Sequence, residues 1–154
     1  MKGVRGLLLV VLGCIVIAGC ASREEKQMAD QPMMTKEQTL YQRLGGKEAV
    51  TAVVDDFVTR VAADNRINSF FATTDMPRFK RLLVEQICQA SGGPCTYTGR
   101  DMKTTHKGMG ITDADFNALI EDLIATLDKF KVPAQEKNEL LAVLGPMRRD
   151  IVGQ

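Results

Sequence analysis

The chain has no tryptophan, only two tyrosines and a single histidine in 154 residues. With one imidazole to draw on, any metal held through histidine, and any proton moved near neutral pH by an unperturbed side chain, depends on His106. Neither sign of charge is in excess: the net charge is +1 at pH 7, so the basic footprint of a nucleic-acid binder is missing. No internal repeat, catalytic serine arrangement, nucleophilic thiol or phosphate-binding glycine loop is present. No segment alternates apolar and polar residues as a half-buried strand does. What remains is 45% apolar and 25% charged residues, the balance of a globular protein rather than a disordered one.

The first residues read as an address. Lys2 and Arg5 precede an apolar run from Leu7 to Ala18, shorter than the roughly 20 residues a spanning helix needs and of secretory size. The run ends in Ile17-Ala18-Gly19-Cys20, which resembles a bacterial lipobox: a branched apolar residue, two small residues, then the cysteine that receives lipid. Residues 1–19 are therefore expected to be a lipoprotein signal peptide, with Cys20 the lipidated new N-terminus. An uncleaved N-terminal anchor is the rival, and either way the domain leaves the cytoplasm. Ala21, rather than Asp, by the usual sorting pattern sends such a lipoprotein to the outer membrane. Cleavage removes Lys2 and Arg5 and no acid, leaving a net charge of about −1. Residues 20–38 are polar, without apolar period, and read as a flexible tether.

The body, residues 39–153, reads as helices. Val50, Val53, Val54, Phe57, Val58 and Val61 recur at three- and four-residue steps, one face of a helix from Lys47 to Ala63 that follows the Gly45-Gly46 turn. Tyr41 and Leu44 suit a short preceding turn of helix, and Asn68-Ser69-Phe70-Phe71 a corner. Asp75 as cap and Pro77 in the first turn start a helix whose face carries Phe79, Leu82, Leu83, Gln86 and Ile87. It stops before Gly92-Gly93-Pro94. Thr112 with Asp115 forms a capping-box pattern ahead of a stripe of Phe116, Leu119, Ile120, Leu123, Ile124 and Leu127. Val132-Pro133 opens a last helix whose face runs Leu140, Leu141, Leu144, Met147 and Ile151. Glu85 and the pairs Asp55-Asp56 and Glu121-Asp122 read as solvated helix faces. The fold class is all-α. Between the two helix pairs, residues 95–110 have only a short helical stretch around His106 and need something to pack on.

Of the four cysteines, Cys14 lies in the leader and Cys20 is the lipid acceptor. Cys88 and Cys95 flank Gly92-Gly93-Pro94, where the chain folds back, and the exported compartment is oxidising, so they are expected to form a disulfide. Loop entropy alone gives it about 2.5 kcal/mol. A metal pair is the weak alternative, because a closed zinc site takes four Cys or His ligands and only three remain.

Several motifs then agree at once. They are Leu40-Tyr41-x-x-Leu44-Gly45-Gly46, Val54-Asp55-Asp56-Phe57, Phe70-Phe71, Gly92-Gly93-Pro94, Tyr97-Thr98-Gly99-Arg100-Asp101-Met102 and His106-x-Gly108-x-Gly110-Ile111-Thr112. In this order and spacing they resemble the group I truncated haemoglobins, across residues 39–152. The resemblance implies a two-over-two helical sandwich around b-type haem, with His106 as the proximal iron ligand. Covalent c-type attachment is excluded, since there is no Cys-x-x-Cys-His. It also implies that Phe71 packs on the haem face and that Tyr97, Met102, Ile111, Phe116 and Leu119 line the pocket. Lys80 and Lys103, or Arg78 and Arg100, are the candidates to meet the propionates.

The distal side departs from the family pattern. After Phe57, where many members carry a tyrosine that donates to bound oxygen, this chain has Val58; where many carry a glutamine on the next helix, it has Leu83. Phe79 and Leu82 add apolar surface, and Gln86, one turn on, is the remaining nearby donor. The expectation is a five-coordinate haem that binds diatomic gas (oxygen, carbon monoxide, nitric oxide) in an apolar distal pocket within the cell envelope. Two other classes compete: a redox protein, either an electron-transfer cytochrome with Met76 or Met109 as second axial ligand or a nitric oxide-detoxifying enzyme served by a reductase, and a haem-free envelope lipoprotein.

Overall fold

The structure, a computed structural model, describes residues 37–154; the leader, Cys20 and the tether as far as residue 36 lie outside them. Six α-helices and two 3-10 segments make up the domain, and no strand occurs among the described residues.

Helix α1 (Leu40–Arg43) is a single turn. A reciprocal capping box holds it, in which the Thr39 side chain accepts from Gln42 and the Gln42 side chain accepts from Thr39 N–H at 3.0 Å. Its Tyr41 N–H donates to the Ser91 carbonyl at 2.9 Å, which ties the start of the domain to the end of α3. Helix α2 (Gly46–Ala63) begins at Gly45, whose φ of +94° is left-handed and whose Cβ would sit 2.8 Å from that of Ala49. Val50, Val54, Phe57, Val58 and Val61 are buried along it, as the periodicity predicts. The corner after it is a 3-10 turn, Asn68–Phe71.

Helix α3 (Met76–Ala90) has Asp75 as its cap, accepting from Arg78 N–H at 3.1 Å, and Pro77 in its first turn, where a missing N–H costs nothing. Helix α5 (Asp113–Lys129) starts with the Thr112–Asp115 box formed in both directions. Helix α6 (Ala134–Leu144) follows a tight connection. The fold is the two-over-two helical sandwich, with α2 lying against both α3 and α5. Arg43 of α1 reaches Glu136 at 3.1 Å, and also Glu139, so the first turn is bridged to α6.

Two features differ from the sequence reading. The last helix does not run to Ile151: it stops at Leu144 and continues as a 3-10 segment, Gly145–Asp150. Pro146 has no N–H to give to the carbonyl four residues back, so the α-helix ends there. And α5 buries Asp122 and Thr126 beside Phe116, Leu123 and Leu127 of its apolar stripe. Asp122 is 8% exposed, not a solvated surface residue, because α2 covers that side of α5.

Candidate functional site

Between the two helix pairs lies a cavity of about 740 Å³, inside the ~300–1,000 Å³ range of small-molecule and cofactor sites. On one side Phe57 and Phe71 meet the inner face of α3, with Phe79, Leu82, Leu83, Gln86 and Ile87. The rings of Phe71 and Phe79 lie 5.3 Å apart at 43°. Opposite stand His106 and Met102, backed by Phe116, Leu119, Ile120 and Leu123 of α5. Leu144, Met147 and Ile151 close the inner end. The break at Pro146 matters here, since it starts the 3-10 turn that delivers Met147 and leads to Ile151.

His106 is presented by α4 (Met102–His106), five residues long. A helix of that length does not persist in water by itself. Asp101 caps it, accepting from Thr104 N–H at 2.8 Å, and the Thr104 side chain, then this N–H, hold the Asp101 carboxyl below its ordinary range. Beyond it, Gly108 N–H donates to the Gln154 carbonyl at 3.1 Å and Gly153 N–H to the Ile111 carbonyl at 3.0 Å, so the C-terminal residues tie the segment down. The Nδ1 of His106 lies 2.7 Å from the Met102 carbonyl. A carbonyl only accepts, so Nδ1 carries the proton and donates, and Nε2 is left with the free lone pair.

Of the residues singled out from sequence, Phe57, Phe71, Phe79, Leu83, Gln86, Tyr97, Met102, His106, Phe116 and Leu119 border this one cavity. Val58 does not: it is 4% exposed and packed in the helical core. Successive helical positions are about 100° apart, so with Phe57 facing the cavity Val58 turns away, and valine is too short to reach back. Ile111 is also outside; with Met109 it lines a separate space of about 70 Å³ beside His106. Its carbonyl is held by Gly153, which sets that direction. Met76 packs against the core, so neither methionine considered as a second ligand borders the main cavity. Gln86 turns its amide to the sulfurs of Met102 (3.3 Å) and Met147 (3.4 Å), both weak acceptors.

At the mouth, Arg78 and Arg100 are exposed and border the opening. Lys80 is paired with Asp55 at 2.9 Å, and Lys103 is exposed and outside the lining. Tyr97 donates its hydroxyl to the Arg100 carbonyl at 2.9 Å, and burial pushes its phenol up. Cys88 and Cys95 are joined in a disulfide. Glu85, read from sequence as solvated, instead accepts from the N–H and hydroxyl of Thr98, which hold its carboxyl below its ordinary range. No pattern in the sequence marks that role, because the partner is thirteen residues away across a loop.

Among the described residues no three His, Cys, Asp or Glu side chains converge on a bare metal ion. One imidazole with a free Nε2, in a broad cavity walled by aromatic and aliphatic side chains and flanked at its mouth by two guanidiniums, fits a metal that brings its own planar set of ligands and carries acidic groups at one edge.

Comparison with known proteins meets this site from another direction. The model of the family described as bacterial-like globin matches residues 39–152. A group 1 truncated haemoglobin from Tetrahymena pyriformis is 38% identical over 121 residues, covering 79% of this chain and all of that protein. One from Mycolicibacterium paratuberculosis is 39% identical over 113 residues, 73% of this chain and 83% of its own length. Among solved structures, the ferric truncated haemoglobin of T. pyriformis superimposes with a TM-score of 0.73 at 38% identity, over 76% of this chain and 100% of that one. The 2/2 haemoglobin of a Synechococcus species, in the cyanomet state with covalently attached haem, does so with a TM-score of 0.72 at 33% identity, over 76% and 100%.

Proposed function

We propose, from the premise that the chain belongs to the bacterial-like globin family as a truncated haemoglobin and hence a haem-binding globin, that it holds haem b at five-coordinate iron and reversibly binds diatomic gas in an apolar distal pocket. Haem supplies the iron at which oxygen, carbon monoxide or nitric oxide binds. The single observation that carries the reading is the free Nε2 of His106 at the wall of the cavity, its partner Nδ1 committed to the Met102 carbonyl. That bond fixes the ring and its tautomer. Phe71 and Phe79 offer flat apolar contact to the macrocycle, and the exposed Arg78 and Arg100 are placed to receive its carboxylates, in preference to the engaged Lys80. The disulfide uses both cysteines of the domain, so no thiol is left for a thioether link, which favours the b type.

On the wall facing His106, Phe57, Phe79, Leu82 and Leu83 carry no donor, and Gln86 is turned to two sulfurs. A donor to a partly charged ligand is worth about 1–3 kcal/mol, and its lack speeds oxygen release roughly tenfold or more at 1.4 kcal/mol per decade. Carbon monoxide and nitric oxide depend less on that bond. The same lack of a donor argues against an avid oxygen carrier and against an efficient nitric oxide dioxygenase, which would in addition need a reductase. The test is the oxygen dissociation rate of the purified ferrous protein with its carbonyl stretching frequency: fast release with an unperturbed stretch supports the reading. Slow release with a stretch typical of a hydrogen-bonded ligand overturns it and points to Gln86.

The location we infer is the cell envelope, with the domain anchored in the bilayer through lipidated Cys20 and, from Ala21, at the outer membrane. The charged start, the short apolar run and Ile17-Ala18-Gly19-Cys20 support it. No helix among the described residues is long and apolar enough to cross a membrane. Labelled palmitate should enter the wild type and not Cys20→Ala; equal labelling removes the assignment.

A further inference from the structure

We propose that the Cys88–Cys95 disulfide, with Glu85 and Gln89, is a latch that sets how firmly the domain retains its haem, so that retention depends on the oxidation state of these two cysteines. The inference rests on the haem reading above.

Glu85, Cys88 and Gln89 are three and four residues apart on α3 and share one side of it. All three grip the same incoming strand of chain. Cys88 is bonded to Cys95, with the Cα atoms 5.7 Å apart. Gln89 Oε1 accepts the Tyr97 N–H at 2.6 Å. Glu85 Oε2 accepts the Thr98 N–H at 3.0 Å and its hydroxyl at 2.7 Å, while Arg81 bonds the other carboxylate oxygen and, at 3.2 Å, the same hydroxyl. Between Cys95 and Asp101 no residue is buried and no regular secondary structure forms, so these attachments carry what packing carries elsewhere.

What the latch holds is the cavity itself. Tyr97 and Arg100 of this segment border the opening, and the Tyr97 hydroxyl is bonded to the Arg100 carbonyl, so the two move together. The next residue, Asp101, caps the helix that carries His106. Thus α3, one wall, is clamped to the start of the opposite wall. The bridge is seated without slack: a Cβ on Gly93 would lie 2.6 Å from Cys88 Sγ and 2.8 Å from Tyr41 Cγ. Cys88 is fully buried whereas Cys95 is partly exposed, so a reductant approaches the bridge from the side of Cys95. A dithiol attacks there as thiolate, the S–S bond breaks, and Cys88 leaves and takes up a proton. The second thiol of the reagent then displaces Cys95, which is protonated in turn. Two electrons and two protons pass to the protein, and the reagent departs as its own disulfide.

The test follows haem transfer from the ferric holoprotein to an excess of a scavenging apoglobin. Four forms are compared: oxidised wild type, dithiol-reduced wild type, the double variant Cys88→Ala/Cys95→Ala, and Glu85→Ala. Release should be about tenfold or more faster in the reduced and double-variant forms, and several-fold faster in Glu85→Ala. Glu85→Gln, which keeps an acceptor for Thr98, should recover most of the loss. Amide exchange in the haem-free protein supplies the second readout: the Tyr97 and Thr98 amides should be protected when oxidised and lose protection on reduction, with α2 and α5 unchanged. Equal release from oxidised and reduced protein, or exchange at Tyr97 and Thr98 that ignores reduction, overturns the latch. Should the double variant fail to fold, reduction of the wild type and Glu85→Ala decide the matter. A wild type without a Soret band sinks the haem reading and retention with it; a Soret band with equal release rates sinks the latch alone.

Discussion

The α2–α5 frame and the stretch from Cys95 to Ile111 belong to one domain but are held by different physics. In the frame, Val54, Val61 and Leu127 are 1–2% exposed, and each hides its side chain against a neighbouring helix. Burial of that kind contributes about 1.5–3 kcal/mol per side chain and needs no particular atom-to-atom contact. From Cys95 to Ile111 no residue is buried. That stretch hangs on named points: the disulfide, Gln89, Glu85, the Asp101 cap and the two backbone bonds to the C-terminus. A frame that packs itself can be rigid without cofactor. A stretch that does not must take its remaining order from what fills the cavity, and this is the stretch that presents His106.

The largest effect that would sharpen the contrast is an all-or-none one. His106→Ala should abolish haem uptake, seen as loss of the Soret band, while the far-ultraviolet helix signal of the frame persists. Persistent uptake would show that the point attachments and apolar walls suffice without the imidazole. Next comes Leu127→Ala in the frame, which should lower stability by about 2–5 kcal/mol in a denaturant titration. A loss well under 1 kcal/mol would mean that the frame is not held by its packing.

Acid should separate the two regions by a smaller margin. Glu85 is held low by Thr98 and Asp101 by Thr104, so each contributes stability that is present above its unfolded pKa and is lost as pH falls through its lower folded value. The frame carries a group of opposite sense. Burial, and then the charge of Asp64, push Asp122 up. Its contribution is therefore complete below its unfolded pKa and is lost as pH rises through its folded one. On lowering the pH below about 4, amide protection at Tyr97, Thr98 and Thr104 should fall before that of α2 and α5. Simultaneous loss would erase the distinction. The smallest effect expected is that of Asp122→Asn, which removes a buried titrating carboxyl. At neutral pH it should leave the midpoint unchanged or slightly raised, and above the ordinary carboxylate range it should flatten the decline of stability with rising pH. A clear drop at neutral pH would mean that the ionised Asp122 is needed by Arg60 or Arg66.

Much of the frame was legible in the linear chain because its causes are local. Thr112 with Asp115, Asp75 with Pro77, and the Gly45-Gly46 turn act within a few residues, and apolar spacing of three and four reports a helix wherever it occurs. The Cys88–Cys95 pairing was legible for the same reason, a short loop with a turn in it. The site was legible as a list of residues and less so as a geometry. Periodicity carried the last helix through Pro146, although one missing N–H ends it and redirects Met147. Placing Val58 and Ile111 at the cavity required knowing which way each residue turns, and tertiary packing set that. Glu85 and Asp122 both read as surface charges, and each is engaged by a segment remote in sequence.

By itself the sequence determined the helical stretches apart from the end of the last one, the caps at Asp75 and Thr112, the one imidazole able to take a metal and the apolar character of the wall across from it, because these follow from residue type and near-neighbour spacing. Only the tertiary structure decided which nitrogen of His106 is free, that Arg78 and Arg100 border the mouth while Lys80 is engaged by Asp55, and that Gln86 faces two sulfurs. Each of these depends on where a second, distant element places its atoms, and hydrogen bonds and ion pairs are decided within a few tenths of an ångström.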